Sequence, residues 1–162
     1  SLLVNGATDQ WSADAEALLN YAARDAHLRS LIRPALARGA TVICDRFMDS
    51  TRAYQGYAGG SDLAFIDALE TEIVGATRPH LTFILDLDPE VGLQRARSRG
   101  EGVEDRYERK GLEFHRRLRQ AFRTIAQAFP ARCRLVDASQ PVDAVQAAIR
   151  RASQLIRGQT TA

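Results

Sequence analysis

The sequence predicts an α/β protein, a mostly parallel β-sheet flanked by helices, and three observations predict it. Short apolar, β-branched segments recur at Thr41–Cys44, Leu81–Leu87 and Cys133–Val136. Long stretches of helical periodicity separate them. Strands that alternate with helices on one chain imply βαβ units, and fully apolar strands imply burial on both faces. Acid and proline signals also stand where helices should begin.

In chain order, Ser12 is placed to cap a first helix whose opening turn carries Asp14 and Glu16, carboxylates that complement the positive helix end. Leu18, Tyr21, Leu28, Ile32 and Leu36 recur at helical spacing up to Gly39, and Pro34 should kink the last turns. A second helix is expected from Ser61 through Ile66, Leu69 and Ile73 to Gly75. Asp88-Pro89 starts a third, which runs into a charged stretch with Gly100 and Gly102. Leu118, Phe122, Ile125 and Phe129 mark one face of a fourth, and Pro141 precedes a terminal helix through Val145, Ile149 and Ile156. Three strands make a thin sheet for 162 residues, and the chain opens at Ser1 in mid-stride through Leu2-Leu3-Val4, which reads as a cut edge. A length of 162 residues otherwise suits a single domain, 1–162.

Composition excludes several classes. A formal charge of +2 is too even for a protein that coats nucleic acid, and aromatic interleaving for a stacking platform is absent. No apolar run is long enough to cross a bilayer, and no signal-peptide pattern opens the chain. Cys44 and Cys133 sit in predicted strands without CxxC spacing, and His27, His80 and His115 are scattered. The reading is reduced core cysteines, a cytosolic compartment and no zinc site. Lys110 is the single lysine, so the positive charge is carried by arginine, which suits bidentate contacts to carboxylate and phosphate.

In open α/β sheets ligands bind beyond the carboxyl ends of the strands. The first predicted strand is followed by Asp45-Arg46-Phe47-Met48-Asp49-Ser50-Thr51-Arg52-Ala53-Tyr54-Gln55-Gly56. An arginine there can clamp a phosphate while the acid holds a metal-bound water; a strand-end ion pair fits the same residues. Four arginines lie between Arg95 and Arg106, spaced by glycines, as in a flap that delivers charge to a phosphoryl group. A solvated helix end fits that composition as well. Arg24, taken alone, reads as a surface residue.

These residues resemble a family. The string Asp45-Arg46-Phe47-x-x-Ser50-x-x-Ala53-Tyr54-Gln55-Gly56 resembles the signature of bacterial thymidylate kinases. So do Tyr21-Ala22-Ala23-Arg24, Leu85-Asp86-Leu87-Asp88-Pro89, the run Arg95-x-Arg97-x-Arg99-Gly100 and Asp137-Ala138-Ser139-Gln140-Pro141. The resemblance runs in order from Ser1 to about Arg157. It implies a P-loop NTPase-like nucleoside monophosphate kinase fold, and transfer of the γ-phosphoryl group of ATP, with Mg2+, to dTMP in dTTP synthesis. By resemblance, Arg46 holds the acceptor phosphate and Asp45 lies beside it near the magnesium ion. Arg24, Ser50, Thr51 and Gln55 belong to the substrate site, with Arg24, Thr51 and Gln55 at the thymine edge. Tyr54 crowds the sugar where a 2′-hydroxyl would be. Arg95, Arg99 and Arg106 belong to a lid at about 97–109, with Arg95 and Arg99 also reaching ATP. Asp137 and Gln140 flank adenine, and the thymine-stacking position falls at Asn20, beside Tyr21. A cytoplasmic homodimer is implied, with the helix from Ser12 to Arg38 a candidate for the pairing face.

No G-x-x-x-x-G-K-[ST], the loop that cradles ATP phosphates, occurs in the sequence. The resemblance places it upstream of Ser1, together with a central strand, and implies that these 162 residues alone transfer no phosphoryl group. Two other readings stand beside the kinase: a nucleotide-binding chain without catalysis, and a kinase of the same fold for another deoxynucleoside monophosphate.

Overall fold

The computed structural model of the protein describes residues 10–98, 107 and 110–157. Helix α1 spans Ala13–His27, and the Ser12 side chain caps it by accepting the Ala15 N–H at 3.1 Å. Pro34 has no N–H to give to the preceding turn, and the chain answers with a π-helical turn over Leu28–Ile32 before α2, Arg33–Ala37. Gly39, at φ 77°, ends the run in the left-handed region that a side chain would oppose.

The predicted strand at Thr41–Cys44 is not formed. A strand exists only where a neighbour completes its ladder, and this segment has none among the described residues. Val42 packs against the core while Ile43 is 94% exposed. Cys44 is exposed, which corrects its reading as a core thiol; Cys133 is buried, and burial pushes its thiol up.

A short helix α3, Met48–Thr51, continues into a second π-helical turn over Arg52–Tyr57. No helix is predicted for this segment from its sequence. Its floor is α4, Leu63–Ile73, capped by Asp62 rather than Ser61. The two pack so closely that a Cβ on Gly56 would meet the Leu63 side chain at 2.8 Å. A 3-10 turn, Gly75–Thr77, leads to β1, Thr82–Asp86. Then follow α5, Pro89–Ser98; α6, Gly111–Ala128; β2, Cys133–Asp137; and α7, Val142–Arg157.

Strands β1 and β2 pair in parallel, Thr82 opposite Cys133 through Asp86 opposite Asp137. Among the described residues two strands are thus observed where three were expected. Parallel strands need a crossover, and α5 and α6 supply it. On one face, Ile84 and Cys133 close over Phe114, Leu118, Ala121 and Ile125 of α6, with Ala53 joining from the second π turn. A second core, Tyr21, Leu28, Ile32, Met48 and Val74, lies between α1 and the start of α3. The segment 45–57 runs between these two cores, and that position holds its polar side chains in place.

Candidate active site

Seven of the residues picked from the sequence gather around α1, α3 and the second π turn. Arg24 leaves the last turn of α1, and its Nη2 donates to the Phe47 carbonyl and to Thr51 Oγ1, both at 3.0 Å. The guanidinium also lies over the rings of Tyr21 (4.5 Å) and Phe47 (5.2 Å). It is half-buried, not the surface arginine that composition suggested. Its Nη1 is buried with no hydrogen-bond partner, and so is the Tyr21 hydroxyl. Burial lowers the Arg24 pKa, yet a guanidinium stays protonated in any protein setting.

Arg46 is at φ 62°, a left-handed backbone that non-glycine residues seldom adopt and that costs about 1–3 kcal/mol. Its guanidinium lies 5.1 Å from the centre of the Tyr54 ring. Asp45 is exposed beside it, and Ser50 is half-buried on α3. Thr51 and Gln55, one helical turn apart, are 1% and 2% exposed. Tyr21 is wholly buried, so it is not a stacking surface; the neighbouring Asn20 is half-buried and donates to the Glu16 carbonyl.

A second group gathers at the carboxyl end of β2. The Asp137 carboxylate accepts from the Ser139 N–H and hydroxyl and from Gln140 Nε2. These bonds hold its pKa down at about 2. Arg95 donates to the Ala138 carbonyl at 3.1 Å, which ties α5 to this turn. The Asp137 and Gln140 side chains bond to each other within the turn. Arg99 and Arg106 lie outside the described residues, as does the 97–109 segment apart from the stretch to Ser98 and Tyr107.

Two residues that the sequence reading passed over belong to the first group. By sequence Glu16 is a helix-end charge, yet it is 3% exposed and faces inward. Tyr107 packs edge-on against Tyr54 with centroids 5.1 Å apart. Glu16 Oε2 accepts from Gln55 Nε2 at 2.8 Å and from the Tyr107 hydroxyl at 3.0 Å. A helical period of apolar residues cannot show a carboxylate on the inner face, and no local signal could have found it.

Among the described residues no group of three or more metal-ligating side chains occurs, and no helix is long and apolar enough to cross a membrane. The architecture, a parallel sheet with an arginine-bearing segment packed between two cores, is that of a nucleoside monophosphate kinase of the P-loop class. The thymidylate kinase of Ehrlichia chaffeensis, known from a crystal structure, superposes with a TM-score of 0.69 at 31% identity, over 90% of this chain and 67% of that one.

Sequence comparison narrows the class. The profile described as "Thymidylate kinase" matches residues 2–149. A protein of Caulobacter vibrioides named thymidylate kinase is 57% identical over 148 residues, 91% of this chain and 70% of that one. Its namesake from Rhodopseudomonas palustris strain TIE-1 is 51% identical over 88% of this chain and 63% of its own length. That from Nitrobacter winogradskyi is 48% identical over 91% and 65%. The chain belongs to the thymidylate kinase family, and it spans about two thirds of the length of these relatives.

Proposed function

We propose that the protein transfers the γ-phosphoryl group of ATP to dTMP, giving dTDP and ADP. The observation that carries the reading is Arg46. Arg46 holds a left-handed backbone with its side chain exposed, and such strain concentrates where a side chain must be aimed. Relatives named thymidylate kinase at 48–57% identity support the choice of acceptor.

In this reading an oxygen of the dTMP phosphate attacks the γ-phosphorus as the bond to the β,γ-bridging oxygen breaks, and ADP leaves with the electron pair. Phosphoryl transfer asks the protein for positioning and charge stabilisation. Arg46 grips the acceptor phosphate, Ser50 completes the substrate site, and Tyr54, under the Arg46 guanidinium, walls the sugar. Arg24, Thr51 and Gln55 take the base. Arg95, Arg99 and Arg106 supply cations around the transferring group, and the turn at Asp137 and Gln140 receives adenine. Mg2+ keeps several waters and takes one or two carboxylates, a demand that the exposed Asp45 fits. When bound, Mg2+ neutralises phosphate charge. Residues 97–109 act as the lid of a single kinase domain, and the protein works in the cytoplasm as a homodimer. The exposed Leu18 and Leu31 between Ser12 and Arg38 give two copies an apolar surface to share.

The test is a coupled assay on the full-length protein with dTMP, dUMP and dCMP. Arg46→Ala should lower kcat/KM for dTMP by about a thousandfold, the scale of removing one charge-stabilising donor. Wild-type kcat/KM in that variant would sink the reading, and a preference for dUMP or dCMP would move it to another acceptor.

A further inference from the structure

Glu16, Gln55 and Tyr107 form a hydrogen-bonded triangle. A carboxylate only accepts, so the Gln55 atom at 2.8 Å from Glu16 Oε2 is the amide nitrogen. The Tyr107 hydroxyl gives its one proton to the same Glu16 oxygen at 3.0 Å. Its oxygen therefore accepts the second Gln55 Nε2 hydrogen, at 3.2 Å. Both donors of the Gln55 amide are spent inside the protein. What remains of the group is Oε1, an acceptor. An amide could otherwise turn over and offer the opposite polarity to a ligand, since its two faces are alike in size.

We propose that Glu16 is a positioning residue that fixes the polarity of Gln55 and thereby sets base specificity. The inference rests on the reading of Gln55 as a base contact. Locked this way, Gln55 presents an acceptor, while Arg24, whose Nη1 has no partner within the protein, presents a donor. A pyrimidine with an N3–H and a 4-oxo group, as in thymine, matches one acceptor and one donor. Cytosine carries the reverse pattern, an N3 acceptor and a 4-amino donor, and leaves buried groups unpaired on both sides. Glu16 need not touch the substrate to exert this effect. It acts through Gln55, and through the Tyr107 ring on Tyr54.

The experiment compares the full-length wild type, Glu16→Gln and the exchanged pair Glu16→Gln/Gln55→Glu. Glutamine at position 16 keeps the shape but can donate as well as accept, so Gln55 is no longer held one way. KM for dTMP should rise about tenfold with kcat within twofold, and the dTMP over dCMP preference should narrow by about tenfold. The exchanged pair puts a donor at 16 and an acceptor-only group at 55, so the preference should return to within about threefold of wild type. A merely structural Glu16 would lower Tm and leave the preference unchanged, which would overturn the proposal. A substrate-free arm follows the Gln55 side-chain amide by NMR. Slow hydrogen exchange in the wild type and fast exchange in Glu16→Gln are expected; fast exchange in both would overturn the locked orientation. If the wild type does not accept dTMP, the functional reading fails while the amide measurement still decides the orientation.

Discussion

Arg132 and Arg119 each grip an aspartate with two nitrogens, and the two pairs sit in opposite surroundings. Arg132 holds Asp49 at 2.6 and 2.7 Å beneath α3, where the side chains are 15% and 6% exposed. Arg119 holds Asp86 at 2.8 and 3.1 Å where β1 ends, at 32% and 19% exposure, and shares itself with Asp88. The chemistry is the same and the value is not. Water and salt screen the second pair, and its arginine has a second acid, Asp88, within reach. The first joins three elements, because Thr82 of β1 also bonds Asp49 and Arg132 lies over Phe129 at 4.8 Å. Breaking a buried pair leaves a charge that neither water nor protein answers.

The largest effect should therefore come from Asp49→Ala, with a loss of about 3–5 kcal/mol in urea unfolding, little relieved by salt. A loss below about 1 kcal/mol would mean that Arg132 finds another acceptor and that burial does not set the value of the pair. Asp49 belongs to the same short segment as Arg46 and Thr51, so part of that motif holds the fold and part is left for the ligand.

That division is where sequence reading stops. Helix α1, the β1 and β2 strands and α5 to α7 were legible because local signals, such as caps, proline and apolar period, agree with the packing. Thr41–Cys44 reads as a strand from composition, yet a ladder depends on a neighbour, which composition does not contain. The two π-helical turns escape for a similar reason: each adds one residue to a turn, and periodicity over a few residues cannot resolve it. The arginine-bearing motif at 45–56 was visible as chemistry, whereas the inward turn of Glu16 and the burial of Tyr21 were not. Asn20 and Tyr21 differ by one position on α1, about a quarter of a turn, and that step takes a side chain from the rim to the core.

Arg119→Ala tests the exposed side of the comparison and should cost about 1 kcal/mol or less, a loss that shrinks in added salt. Its pH dependence has a definite sign. The hydrogen bond from Arg119 holds the Asp86 carboxyl below its usual range. A carboxylate with a lowered folded pKa adds stability that is present above the unfolded value near 3.8 and is lost as pH falls through the folded one. The wild type should lose more stability than Arg119→Ala below pH 4, so that their curves converge in acid. Parallel curves down to pH 2 would show that the pair contributes nothing. Arg116, paired with Glu90 and Glu113 in the open, extends the series to its end, where removal should leave Tm unchanged.

Tyr21 separates burial from pairing, since its hydroxyl is buried with no hydrogen-bond partner. Burial, only partly opposed by Arg24, pushes its pKa up to about 12. The folded state keeps the phenol proton that an unfolded chain releases near 10. The linked stability is thus whole below pH 10 and lost as pH rises through about 12. Tyr21→Phe removes an unsatisfied polar atom and keeps the ring under the Arg24 guanidinium, so stability at pH 7 should hold within about 1 kcal/mol of wild type or rise. The loss between pH 10 and 12 should be smaller in the variant. A clear destabilisation at pH 7 would mean that the hydroxyl has a partner in solution, and that burial at this site is answered after all.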